Sequence, residues 1–321
     1  MICESIHFAD RFGNMGTDGK GWIWGYALVE SGGIPMRIAY VSCKELPEAD
    51  IDEQPLVEGL IKAGHAVEVV AWDDESVDWS GFGLALVRAT WNYAQQVESF
   101  EAWIGRVDSL TTLMNSAQTL KWNLHKEYLC ELSDAGVPII PSVFADRYIS
   151  LGVEEVVGLE GWAKIVIKPT VSGGSYKTKV FDLTNGELES AQAFFDEMIA
   201  QRDMMIQRYM PSVDTVGETA LVVIDGELTH AIEKRPRFDH QEEEVYLREE
   251  ISDEMRMFVK KVLDASGKEY LYARVDVIPG DDGAMMLSEL EMLEPSLFFP
   301  YSSHAVDVFV RGVEKFAPVR E

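Results

Sequence analysis

In Ile165-Val166-Ile167-Lys168-Pro169-Thr170-Val171-Ser172-Gly173-Gly174-Ser175-Tyr176-Lys177-Thr178 an apolar run ends on a lysine and opens at once into a Gly/Ser loop. β-Branched residues at 165–167 favour a buried strand, and Pro169 stops it. Gly173-Gly174, flanked by Ser172 and Ser175, lets backbone N–H groups converge on an anion, and Lys168 adds a point charge beside them. A Gly-Gly loop alone is more often an ordinary turn. The lysine that ends the strand is what points to phosphate.

Downstream stand Arg274-Val275-Asp276 and, 13 positions after Asp276, Glu289-Leu290-Glu291. Strands at 271–278 and 284–291, joined by a turn at 280–283, are expected to pair as a hairpin. Period-2 alternation then puts Arg274, Asp276, Glu289 and Glu291 on one face. Three carboxylates beside an arginine offer the hard oxygens that magnesium takes together with phosphate oxygens. The competing reading is a solvated acidic face. Apolar Leu290, Met292 and Leu293 around it, and the mutual repulsion of unpaired carboxylates, favour the metal.

Between the two lies Met205-Ile206-Gln207-Arg208-Tyr209-Met210-Pro211-Ser212-Val213-Asp214, a strand broken at Pro211. The break leaves backbone groups free to read an adenine edge, with Asp214 within reach of ribose hydroxyls. Lys234-Arg235-Pro236 closes the next hairpin, whose turn is Asp225-Gly226, and offers two cations to phosphate.

The 321 residues carry 28 Lys+Arg against 55 Asp+Glu, a formal charge of −27, with 47% hydrophobic residues. That composition is globular. The missing basic stripe counts against nucleic acid and anionic membrane as partners. Cys3, Cys43 and Cys130 are too few for a disulfide framework. No apolar run reaches the roughly 20 residues of a membrane span, and no secretory signal is visible, so a cytoplasmic location is expected. P-loop, dinucleotide fingerprint, H-x-x-x-H, C-x-x-C and G-x-S-x-G patterns are all absent from the sequence.

Residues 1–35, Gly-rich and without a sustained period, are expected to lie outside the core. An N-terminal α/β domain over 36–115 follows, with strands at 37–42, 66–72 and 82–87 and helices at 52–63 and 97–109. A central part, 116–205, is expected to hold helices 124–135 and 187–200 and strands 138–144, 163–168 and 177–182. The last part, 206–321, holds the two hairpins, an acidic loop at 239–244 and helices 252–265 and 303–315.

In this order Lys126 leading a helix, Lys168 with its Gly-rich loop, the 207–214 hinge, Arg274-x-Asp276 and Glu289-x-Glu291 resemble the ATP-grasp superfamily over roughly residues 116–300. The resemblance implies a mixed α/β and α+β fold, in which two α+β subdomains clamp ATP behind an N-terminal parallel α/β domain. Lys126 and Lys168 would touch the phosphates, with Gly173, Gly174 and Ser175 closing over them. Gln207, Arg208, Tyr209 and Met210 would form the adenine hinge through the backbone of Arg208 and Met210. Asp214 would take the ribose, with Glu218 as competitor. Asp276, Glu289 and Glu291 would hold one or two Mg2+ ions, with Mn2+ as the alternative; Glu291 stands where many members have Asn. Arg88-Ala89-Thr90-Trp91-Asn92-Tyr93, Lys121-Trp122-Asn123-x-x-Lys126 and Glu289-Leu290-Glu291-x-x-Glu294-Pro295 look like a narrower group. That group includes the cyclo-ligase of cycloserine biosynthesis, which closes O-ureido-serine to an isoxazolidinone. Arg88, Trp91 and Arg235 are then the substrate candidates.

The implied activity is ATP-dependent carboxylate–amine (C–N) ligation through an acyl phosphate. Lys234 would neutralise the transferring phosphoryl group, and Arg274 would stabilise the tetrahedral oxyanion. A small-molecule kinase on the same scaffold and a nucleotide binder without turnover are the alternatives. The partners implied are ATP and a small carboxylate substrate; a homodimer is compatible with the chain.

Overall fold

The computed structural model describes residues 35–174, 176–235 and 244–316, apart from the Arg235 side chain. The expectations for residues 1–34, for Ser175, for the Arg235 side chain and for most of the 239–244 loop fall outside the described residues.

Strands β1 (Arg37–Ser42), β2 (Ala66–Ala71), β3 (Leu84–Val87) and β4 (Thr112–Met114) form a parallel sheet in the order β2-β1-β3-β4. Helix α1 (Glu53–Lys62) packs Leu56 and Leu60 with Ile38, Tyr40, Leu84 and Leu86. Helix α2 (Val97–Asp108) packs Phe100, Trp103 and Ile104 with Ala39, Val41, Ala85 and Val87 on the other face. Covered on both faces, β3 reads as Leu-Ala-Leu-Val with no polar position.

The second part carries α3 (Ala117–Leu124), α4 (Tyr128–Asp134), β5 (Ser142–Ala145), α5 (Val153–Glu160), β6 (Lys164–Pro169), β7 (Lys179–Asp182), α6 (Leu188–Ile199) and β8 (Met204–Arg208). Its antiparallel sheet runs β5-β8-β6-β7, with Val153, Val156, Phe195 and Met198 packed on Ile165, Ile167 and Ile206. Because β8 pairs with β5 and β6, residues 206–208 join this sheet, beyond the boundary expected after 205.

Two elements differ from expectation here. The helix expected over 124–135 begins later, at Tyr128 (α4), and a separate, unexpected helix α3 ends before His125, whose backbone is extended (φ −106°, ψ 120°). The Lys126 N–H donates to the Thr170 carbonyl at 2.9 Å, drawing the gap between the two helices onto the loop after β6. The strand expected over 138–144 shrinks to β5. Residues 138–140 instead edge the final hairpin, with Leu287 N–H on the Pro138 carbonyl (2.8 Å) and Ile140 N–H on the Leu287 carbonyl (3.1 Å).

The third part holds α7 (Ser212–Thr215), β9 (Glu218–Ile224), β10 (Glu227–Arg235), β11 (Glu244–Leu247), α8 (Asp253–Ser266), β12 (Tyr272–Pro279), β13 (Met285–Glu291) and α9 (Ser303–Glu314). Its antiparallel sheet runs β11-β10-β9-β12-β13. Alternation along β9 and β12 divides two cores. Ala220, Val222, Ile224 and Tyr272 share one with α9 and the N-terminal sheet, while Leu221, Val223, Ala273 and Val275 pack on α4 and α8. A Cβ at Gly312 would lie 2.3 Å from Leu271 Cδ1, so glycine is what lets α9 approach the sheet this closely. Arg274 and Asp276 continue the Tyr272 row, which aims them at the side where the N-terminal domain lies.

Candidate active site

The β12–β13 register sets Arg274 opposite Glu291 and Asp276 opposite Glu289. Two lysines from the central part meet this row. Lys168 Nζ lies 2.9 Å from Glu289 Oε1 and Lys126 Nζ lies 3.2 Å from Oε2, so a lysine holds each carboxylate oxygen. Lys126 also donates to the Ser172 carbonyl at 3.0 Å. Beside them Lys234 reaches Asp276 (2.7 Å) and Glu218 (2.5 Å). Arg274 grips Asp276 through Nε (2.9 Å) and Nη2 (2.8 Å), and Nη2 also reaches Glu291 at 2.5 Å. The side chains of Lys126, Lys168, Lys234, Arg274 and Asp276 are all buried.

Their environments drive neighbouring carboxyls apart. Burial alone would raise Glu289, but Lys126 and Lys168 outweigh it and hold the carboxyl well below its usual range. Burial likewise opposes the charge on Asp276, and Arg274 and Lys234 overcome it. At Glu291 burial wins: against the pull of Arg274, and helped by Asp276 and Glu289, it pushes the carboxyl up to about 8. Burial also raises Glu294.

The sequence blocks 88–93 and 121–126 converge on the end of β13 and the turn after it. Asn123 donates to the Leu290 carbonyl (2.7 Å) and accepts the Met292 N–H (2.6 Å). Arg88 donates to the Pro295 carbonyl (2.6 Å) and Trp91 to the Glu294 carbonyl (3.3 Å). Arg88 is 2% exposed and lies over the Tyr272 ring. Its expected contact with substrate therefore gives way to a structural role, anchoring the segment that follows the acidic strand. Trp91 stays half-buried at the edge of the same corner. Tyr93 and Glu294, which the sequence does not assign to the site, lie together beside Gly173. A Cβ at Gly173 would lie 3.5 Å from Tyr93 Oη and 3.7 Å from Glu294 Oε1. Gly174 turns the loop with φ +55°.

At the hinge, Arg208 N–H donates to the Pro141 carbonyl at 2.9 Å, and proline has no N–H with which to complete the pair. The Arg208 carbonyl is thus left without that ladder partner. Gln207 is turned inward onto Ser142 (3.0 Å). Met210 packs with Ile140 and Ile278, and its N–H has no backbone acceptor among the described residues. The Tyr209 hydroxyl donates to Asp214. Both ribose candidates are engaged, Asp214 by Tyr209 and Glu218 by Lys234, and Asp214 is the exposed one of the two.

The family described as D-cycloserine synthetase DcsG, N-terminal domain, matches residues 38–115. The cycloserine biosynthesis protein DcsG of Streptomyces lavendulae is 30% identical over 291 residues, which cover 84% of this chain and 95% of that protein. The chain belongs to the DcsG-like ATP-grasp ligases. A crystal structure of D-cycloserine synthetase DcsG superposes with a TM-score of 0.81 at 28% identity, covering 88% of this chain and 100% of that one. The D-alanine–D-alanine ligase of Bacillus anthracis complexed with ATP shares the fold at a TM-score of 0.64 and 18% identity, covering 88% and 96% of the two chains.

In this DcsG-like ligase the acidic face differs from the open set of carboxylates that the sequence suggested. Lysine or arginine holds each of Asp276, Glu289 and Glu291, and no three acidic, His or Cys side chains among the described residues stand as a ready metal cage. Magnesium bound with phosphate takes one or two protein carboxylates and fills its shell from the ligand. The donor set fits that ion.

Proposed function

We propose that this ATP-grasp ligase activates the carboxylate of a small amino-acid-like substrate and joins it to nitrogen within the same molecule, as in ring closure of O-ureido-serine. The meeting of Lys126 and Lys168 with Glu289 carries the reading. Two cations from one subdomain face an acid from the other, and in the absence of nucleotide they neutralise each other. ATP phosphates would take the lysines. The freed carboxylates Glu289 and Asp276, with Glu291, would hold Mg2+ (or Mn2+), whose charge screens the triphosphate.

The substrate carboxylate oxygen attacks the γ-phosphorus and ADP leaves. A nitrogen of the substrate then attacks the acyl carbon, and phosphate departs as that nitrogen loses its proton. Lys168 and Lys234 neutralise the transferring group, and Arg274 faces the oxyanion. The Arg208 carbonyl and Met210 N–H supply the acceptor–donor pair that an adenine edge needs, and Asp214 accepts from the ribose.

Incubation with ATP, Mg2+ and O-ureido-serine should release ADP and phosphate in equal amounts with a cyclised product by mass spectrometry. ADP with a phosphorylated product and no free phosphate would indicate a kinase. No ADP with any amino acid or ureido derivative would leave a nucleotide binder.

A further inference from the structure

Four carboxylates crowd the face between β12, β13 and the turn after β13, and they differ in their partners. Asp276 has Lys234 and Arg274, Glu289 has Lys126 and Lys168, and Glu291 has Arg274. Glu294 is 7% exposed and has no ion pair among the described residues; its carboxylate and the hydroxyl of Tyr93, itself 5% exposed, border the same point beside Gly173. A buried carboxylate costs several kcal/mol unless a cation or several donors satisfy it.

The carboxylate is also firmly aimed. Trp91 holds the Glu294 carbonyl, Arg88 the Pro295 carbonyl and Arg274 the Ser296 carbonyl (3.1 Å), while Asp52 accepts the N–H groups of Leu297 and Phe299. Its corner borders Gly173 of the loop after β6, and Lys126, Arg274 and Arg88 act on it through space without an ion pair.

We infer that Glu294, with the Tyr93 hydroxyl, binds the α-ammonium group of an amino-acid substrate. This rests on the ligase reading above and names the substrate class of that same site. An ammonium group brings three donors and one positive charge, which answers a carboxylate and a phenol oxygen in one buried corner. A serine-derived substrate that closes its ring through a nitrogen on the side-chain oxygen keeps its α-amino group. The corner can therefore hold that group from binding to release.

The test uses the full chain with O-ureido-serine and its N-acetyl derivative, followed by ADP release. For the wild type, acetylation should raise KM at least about 30-fold, the scale expected when one partner of a buried charge pair is lost. Glu294→Gln should raise KM for the free amine by a similar factor, leave KM for ATP unchanged, and bring the two substrates level. Glu294→Asp should restore part of the preference, and Tyr93→Phe should weaken it without removing it. If Glu294→Gln keeps the preference for the free amine, or if des-amino acids serve the wild type equally well, the assignment is overturned and the ligase stands. If no acid of any kind releases ADP from folded wild type, the ligase reading falls and takes this assignment with it.

Discussion

Two ion-pair networks in this molecule are opposite in construction. At the seam with the N-terminal domain, Asp52 accepts the Leu297 N–H (2.5 Å) and Phe299 N–H (2.7 Å) and lies 3.6 Å from Arg88, which in turn bonds the Pro295 carbonyl. There main-chain groups hold Asp52 and one nitrogen of Arg88. Around Glu289 the partners are the side chains of Lys126 and Lys168, each from a different segment. A charge tied to backbone leaves only if a loop unfolds. Charges tied to one another can be exchanged for a ligand of like sign, and this is the property a phosphate site requires.

Asp52→Ala should break the first network at a cost of about 3–5 kcal/mol, since it strands Arg88 and two buried N–H groups. Urea unfolding followed by fluorescence measures it; a midpoint within error of wild type would show that the seam is not held this way. Lys168→Ala acts on the second network. Glu289 keeps Lys126, so the fold should persist while stabilisation by ATP·Mg2+ in a thermal melt disappears. Turnover should fall about 10²–10³-fold, the range for losing one group that stabilises transition-state charge. An unchanged ATP shift would remove Lys168 from the phosphates.

Glu289 and Glu291 sharpen the contrast within one strand. A carboxyl whose pKa is higher folded than unfolded stabilises the fold at low pH, and that contribution is lost as pH rises through the folded value. For Glu291, raised by burial from 4.5 to about 8, the window is that interval. The ligand-free protein should lose stability across it, by at most about 1.4 kcal/mol per pH unit from this group, and Glu291→Gln should flatten the slope. Glu289, held low by two lysines, works in reverse. Its contribution is present above the usual carboxyl value and is lost as pH falls below it, so Glu289→Gln should soften acid unfolding. Parallel pH profiles for wild type and both variants would refute the contrast.

Much of this was legible from local pattern. The run 204–208, the Asp225-Gly226 hairpin and the in-register pairing of Arg274-x-Asp276 with Glu289-x-Glu291 follow from period-2 alternation and turn chemistry, which are short-range. The late start of α4 is not legible locally, because a bond from the Lys126 N–H to Thr170, distant in sequence, overrides propensity. Helices α3 and α5 and the three-residue β4 have no counterpart among the expected elements. The role of Arg88 was misjudged for a related reason: the end of a parallel strand usually presents ligand contacts. Here that position faces the segment after β13, which sequence distance hides. Glu294 lies within Glu289-Leu290-Glu291-x-x-Glu294-Pro295, and nothing local marks it as the carboxylate without an ion pair among the described residues.

The smallest effect tests the hinge. Arg208 pairs with Asp281 across the gap between β8 and the β12–β13 turn at 2.6 Å, with side chains 34% and 58% exposed. An exposed pair of this kind contributes about 0–1 kcal/mol. If adenine is read by the Arg208 carbonyl and the Met210 N–H, the guanidinium is dispensable. Arg208→Ala should then change thermal stability slightly and KM for ATP less than about twofold. A tenfold rise in KM would mean that the side chain itself touches nucleotide, or that the pair with Asp281 holds the two subdomains at the spacing ATP needs. Asp281→Ala separates these outcomes: it reproduces the rise if spacing is the cause and leaves KM alone if Arg208 binds directly.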